Sequence, residues 1–118
     1  MGSSKKELES IDNSTELDFQ QGQAFLLESV QQKLPSFKFL KSYHDPRGYW
    51  GVFFVNNNVT LFLGSERTFI DYFLQIGNEK ITLSEIDERV LKLKNTSRAN
   101  FLFLIEIINT HLINIAKF

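Results

Sequence analysis

From Tyr49 to Ile76 aromatic and β-branched residues follow one another with two interruptions, Asn56-Asn57-Asn58 and Gly64-Ser65-Glu66-Arg67. Runs of that composition, broken by Asn, Gly and short polar residues, predict three strands joined by tight turns, the middle of an antiparallel meander. In the first run Trp50, Val52 and Phe54 alternate with Tyr49, Gly51, Phe53 and Val55, so both faces are apolar. A strand like that has both faces covered, or rests one face on the core and offers the other to a partner. In the second run Val59, Leu61 and Leu63 alternate with Thr60 and Phe62. In the third, Ile70, Tyr72, Leu74 and Ile76 alternate with Phe69, Asp71, Phe73 and Gln75, and the first set is the expected core face.

Helical spacing brackets this block. Phe19, Gln23, Leu26, Val30 and Leu34 recur at turn intervals between an N-cap candidate, Asp18, and the stop imposed by Pro35, predicting a helix over 19–34. Phe37 to Tyr43 reads as a half-exposed outer strand with Phe37, Phe39, Lys41 and Tyr43 on one face, followed by the Pro- and Gly-containing turn 44–48. Gly77 to Lys80 reads as a turn. Ser84 with Asp87 resembles a capping box opening a short helix to Leu93. Phe101, Leu104, Ile105, Ile108, Leu112 and Ile115 form a stripe on a last helix over 97–115, which Leu102, Phe103, Ile107 and Ile113 make wider than a surface helix needs. The expected fold is α+β: a four-stranded antiparallel meander with helices on one face, in the order α-β-β-β-β-α-α, over 17–118. Residues 1–16 hold few apolar positions and are expected to be a flexible tail.

The composition narrows the chemistry. Of 118 residues none is Cys, which removes disulfides, thiolate metal sites and Cys nucleophiles. Thirteen basic residues against 14 acidic ones give no basic excess, so no nucleic-acid partner is expected. No apolar run reaches membrane-spanning length and the N-terminus lacks a signal-peptide core. The expectation is a cytoplasmic protein without a membrane partner. Asn13, Asn58 and Asn95 begin glycosylation triplets, read as chance matches in the absence of a secretion signal.

Motif chemistry is sparse. The six glycines form no phosphate-binding pattern, and Gly51 and Gly64 suggest a bulge or a close backbone approach. His44 and His111 lack metal-ligand spacing, and a site would need Asp45 or Glu106 brought to them, so neither metal nor cofactor is expected. Ser42 and Ser65 have no nucleophile elbow. Two charged groups remain: Glu66, Arg67 and Asp71, and Asp45, Arg47, Tyr49 and Trp50, with aromatic and Arg residues of the kind that anchor interfaces. Trp50 has a core reading as well.

The stretch Tyr49 to Gly77, with its aromatic strand pair followed by Ser-Glu-Arg-Thr-Phe-Ile-Asp-Tyr-Phe, resembles the strand with an Arg-centred turn of small bacterial immunity-type proteins. That resemblance implies a small sheet with flanking helices that neutralises a toxin by binding it, although the Asp-Arg-Gly turn is Glu66-Arg67-Thr68 here. The expected function is therefore non-enzymatic protein binding, with Arg47, Tyr49, Trp50, Glu66, Arg67 and Asp71 as contact residues and no catalytic residue. Two alternatives stay open. One is a small-ligand-binding domain or enzyme whose pocket between sheet and helices has Glu66, Arg67 and Asp71 at its mouth. The other is a self-associating structural subunit, a homo-oligomer.

Overall fold

The computed structural model describes residues 12–116. Helix α1 (Phe19–Lys33) starts at a reciprocal cap. The Asp18 side chain accepts the Gln21 N–H at 2.8 Å and the Gln21 side chain accepts the Asp18 N–H at 3.0 Å. Leu34, forced out of the helical region by the proline that follows, ends it at φ −131°. Five strands come next: β1 (Lys38–Asp45), β2 (Tyr49–Asn56), β3 (Val59–Glu66), β4 (Phe69–Ile76) and β5 (Glu79–Ile81). They lie in the sheet in chain order, each antiparallel to its neighbours. A four-residue helix α2 (Leu83–Ile86), a 3₁₀ turn (Glu88–Lys92) and the long helix α3 (Arg98–Ala116) complete the chain.

The sheet thus has five strands where the sequence pattern predicts four. Glu79-Lys80-Ile81 is too short to show a period of two, and it pairs with Leu74–Ile76 only because Gly77 accepts a φ of +61° in the turn. The helix expected from Ser84 to Leu93 is split. Its N-cap is Thr82, and the Asp87 side chain takes the Arg89 N–H at 3.0 Å, starting a new turn instead of continuing the old one. β1 also departs from simple alternation. A bulge between Phe39 and Lys41 leaves Phe39 on the helix side, against Phe54, and turns Lys41 and Tyr43 to the other side.

Both long helices pack on one face of the sheet. Trp50, Val52 and Phe54 of β2 are buried there with Leu61, Leu63 and Leu74. From above they meet Leu26 and Val30 of α1 and Phe101, Leu104, Ile105 and Ile108 of α3, all fully buried. Leu112 is half-buried, and the Ile115 side chain lies outside the described residues. Trp50 is 5% exposed, so it belongs to this core and not to a contact surface. Its ring sits directly over Gly22 of α1, where an added Cβ would come within 2.1 Å of Cη2.

Of the segment expected to be a tail, residues 1–11 lie outside the described residues, but 13–16 are held. Glu16 bridges Ser97, the Asn13 carbonyl accepts the Ala99 N–H at 3.0 Å, and Asn95 Nδ2 donates to the Ser14 carbonyl at 3.1 Å. Ser97 Oγ in turn accepts the Asn100 N–H at the start of α3.

Gly22→Ala tests this packing against local propensity. Alanine favours a helix over glycine by about 1 kcal/mol, yet here the methyl group would meet the Trp50 ring. The expected outcome is a net loss of about 1–3 kcal/mol, read from urea unfolding midpoints.

Candidate functional site

The opposite face of the sheet is covered by no helix or loop among the described residues, and its residues follow from the strand register. Asp45, Tyr49, Glu66 and Phe69 form a first row across the strands. Tyr43, Gly51, Gly64 and Asp71 form the second. Lys41, Phe53, Phe62 and Phe73 form the third. Lys38, Val55, Thr60, Gln75 and Lys80 close the face.

The middle of this face is aromatic. The Phe62 ring lies over Gly51 and Gly64. A Cβ on Gly51 would stand 1.9 Å from its Cε1, and one on Gly64 would stand 2.9 Å from its Cζ. The two glycines that suggested a bulge or a close approach therefore mark a close approach. Phe62 packs on Phe53 at 4.7 Å between ring centres and lies parallel to Tyr43 at 6.0 Å, so it is only 6% exposed without any covering element. Lys41 Nζ stands 5.1 Å from the Phe53 ring centre and Lys80 Nζ 5.7 Å from that of Phe73. Phe69 at 63% and Tyr43 at 42% are the most exposed aromatics on the face.

Of the six residues singled out from sequence, Tyr49, Glu66 and Asp71 lie on this face. Arg67 stands in the β3–β4 turn at its end. Its N–H donates to the Gly48 carbonyl at 2.8 Å, its φ is +54°, and its guanidinium lies 5.9 Å from the centre of the Tyr49 ring. A left-handed φ is unfavourable for a long side chain, so this turn holds Arg67 against its local preference. Arg47, in the neighbouring turn, is paired with Asp45 at 2.8 Å and holds that carboxyl down at about 2. Trp50 faces the helices. Lys41, Tyr43, Phe53, Phe62, Phe73 and Lys80 complete the face. In the sequence, the signal for the central ones was the second apolar set of β2 together with Phe62.

Asp71 has a second task in the sheet. Ile70 donates its N–H outward, to the Lys94 carbonyl at 2.7 Å, so the Tyr72 N–H two residues on also points outward. That N–H is taken by Asp71 Oδ1 at 2.9 Å, and from Leu74 onward β5 takes over. Burial pushes the Asp71 carboxyl above the ordinary aspartate range and the nearby Glu66 charge adds to the shift, against the Tyr72 N–H, which lowers it. Burial likewise raises the Tyr43 hydroxyl, helped by Asp71, Asp45 and Glu66.

The helix side holds a cleft of about 200 Å³ lined by Asp18, Phe19, His44, Trp50, Ser65 and Arg67, among others. Glu66 and Asp71 are not at its mouth, since they face the opposite side of the sheet. His44 stacks flat on Phe19 at 4.6 Å, and Ser65 Oγ, buried, lies 3.4 Å from the Gly48 carbonyl. His44, Trp50 and Ser65 share one row, so roughly two strand spacings, about 9–10 Å, and an indole ring separate the imidazole from the hydroxyl. That spacing allows no nucleophile–base contact. Among the described residues no ion pair joins Arg67 to Glu66 or Asp71, and no three His, Cys, Asp or Glu side chains come together as metal ligands. None of the described helices is long and apolar enough to cross a membrane. No family model, curated protein or solved structure matches the chain.

The Asp71 geometry carries a signed expectation. A carboxyl whose folded pKa is raised costs stability once ionised, and that cost fades as pH falls towards its unfolded value. Asp71→Asn keeps the Oδ1 acceptor for Tyr72 and removes the charge. At neutral pH it is expected to raise Tm, read from thermal melts of the two proteins side by side. Below the ordinary aspartate value of 3.8 the two proteins should melt together.

Proposed function

We propose that this chain is a non-enzymatic protein-binding domain and that the uncovered sheet face is its working surface. The observation that carries the reading is an aromatic surface on a fold whose other face is filled by helices. Tyr43 and Phe69 are open to solvent, with Phe53, Phe62 and Phe73 behind them. Contiguous apolar faces of this kind mark interaction sites, and aromatic and Arg side chains supply most of the energy at such sites. The charge pattern separates a protein from a nucleic acid. Asp45, Glu66 and Asp71 stand on the same face as Lys38, Lys41 and Lys80, so a phosphate backbone would meet as much repulsion as attraction. The resemblance of Tyr49–Gly77 to immunity-type proteins makes toxin neutralisation the concrete form of this function, with the Glu66-Arg67-Thr68 turn at the rim of the surface.

Two measurements test the reading. A photo-crosslinking phenylalanine analogue at position 69, in the full chain in its native host, is expected to give a protein adduct. The same analogue at Leu91, which is 76% exposed on the 3₁₀ turn, is expected to give none. Adducts from position 91 and none from 69 would place the binding surface elsewhere. Arg67→Gly relieves the left-handed φ and is expected to raise stability by up to about 1 kcal/mol in denaturant melts, while reducing the yield of the position-69 adduct. A variant that is more stable with an unchanged adduct yield removes Arg67 from the surface.

A further inference from the structure

The sheet has one closed edge and one open one. On the β4 side the outward N–H groups go to Lys94, to Asp71 and to β5. The outer edge of β1 has no strand beside it among the described residues. Strand alternation fixes which groups that edge offers. The Ile70 N–H points out of the sheet, so by register the ladder bonds join Asp71 to Gly64, Leu63 to Val52 and Gly51 to Tyr43. The N–H and C=O groups of Ser42 and His44 then point away from β2, and among the described residues no hydrogen-bond partner takes them. Donors and acceptors at this spacing are matched by one kind of ligand, another strand.

The side chains beside the edge define which strand fits. Between α1 and β1 runs a groove of about 450 Å³ whose apolar lining includes Leu27, Val30, Phe37, Phe39 and Phe54. Successive residues of an added strand point to opposite faces. A residue that drops into the groove therefore has its two neighbours on the other face of the sheet, next to Lys38 and Lys41. Both lysines face that side by register, and Lys41 Nζ lies there over the Phe53 ring. Both are exposed, and neither is in an ion pair among the described residues. The complement of this edge is an apolar residue between two acidic ones.

The same lysines act against pairing with a second copy of β1. An antiparallel copy that engages both Ser42 and His44 must be centred on Tyr43. That register sets Lys41 opposite Asp45, which Arg47 already holds at 2.8 Å. It also brings the Pro46-Arg47 turn, instead of an apolar strand residue, to the groove and to Lys38.

We propose that the free edge of β1 is a docking site for an extended segment of another protein. The segment adds to the sheet as a further strand, with an apolar side chain in the groove beside α1 and acidic side chains at Lys38 and Lys41. This site is separate from the open face and does not depend on it.

The blocked peptide Thr-Thr-Glu-Leu-Glu-Thr-Thr carries the required pattern in either chain direction. Labelled with a fluorophore and titrated with the full chain, it is expected to bind with a dissociation constant on the order of 100 μM or below. Thr-Thr-Lys-Leu-Lys-Thr-Thr is expected to bind at least about tenfold more weakly, and Lys38→Glu/Lys41→Glu to reverse that preference. Hydrogen exchange on the wild type reads the docking mode without any variant. Saturating peptide is expected to slow the Ser42 and His44 amides by about tenfold or more. No binding up to about 1 mM, equal binding of the two peptides, or a bound peptide that leaves both amides unprotected each overturns the proposal. Position 69 lies on β4, away from this edge, so its crosslinking result decides the open-face reading alone.

Discussion

The contact between Trp50 and Gly22 sets the arrangement of the whole domain. Trp50 projects from the start of β2 towards the helices, and only the missing side chain at Gly22 lets α1 come down onto its ring. The same indole lies 6.2 Å from Phe19 and 6.0 Å from Phe101, so one side chain from the sheet touches both long helices. Around it the start of α1 and the start of α3 are tied by the Leu17–Thr96 hydrogen bonds and the Glu16–Ser97 bridge. With both helices committed to this face, the chain's remaining described elements, a four-residue helix and a 3₁₀ turn, are too short to cover the other.

The edges matter as much as the faces. Adding a strand is one way a sheet recruits a partner, and the β4 edge closes that route in three separate ways: Lys94 pairs with Ile70, Asp71 caps Tyr72, and β5 pairs with the rest. Asp71 is thereby explained without catalysis. It accepts an N–H that would otherwise be free to bind another chain, and its half-buried, charge-crowded position is the cost of doing so.

How far the sequence showed this depended on whether each signal was local. The asymmetry of β4, with Ile70, Tyr72, Leu74 and Ile76 on one side and Asp71 and Gln75 on the other, was enough to assign its core face, on which Leu74 is fully buried. β2 could not be assigned alone, because Trp50-Val52-Phe54 and Tyr49-Phe53-Val55 are equally apolar. Trp50 was ambiguous for that reason and fell on the core side, as its strand neighbours require. The bulge at Phe39–Lys41 left no trace in composition, so the phase of β1 was read one residue out beyond it. Lys41 and Tyr43 consequently went unrecognised as parts of the site. β5 is three residues long and owes its existence to the hairpin, while Asp87 was read as a helix cap for Ser84 when its side chain reaches forward to Arg89. In each miss a tertiary partner or a side-chain hydrogen bond decided between backbones of similar local preference.

The open face is shaped by two glycines, one held by the sheet backbone and one by a ring. Glycine weakens a strand interior, and here two of them, Gly51 and Gly64, sit side by side in the centre of the sheet. A Cβ at Gly51 would lift the Phe62 ring off the backbone, and a Cβ at Gly64 would first meet the β2 backbone, 2.2 Å from the Trp50 carbonyl oxygen and 2.7 Å from the Gly51 Cα. The glycines let that ring lie flat, and Phe53 and Tyr43 pack beside it. The result is an aromatic surface with Lys41 and Lys80 over its rings and Arg67 over Tyr49, built from the side-chain types that protein contacts draw on.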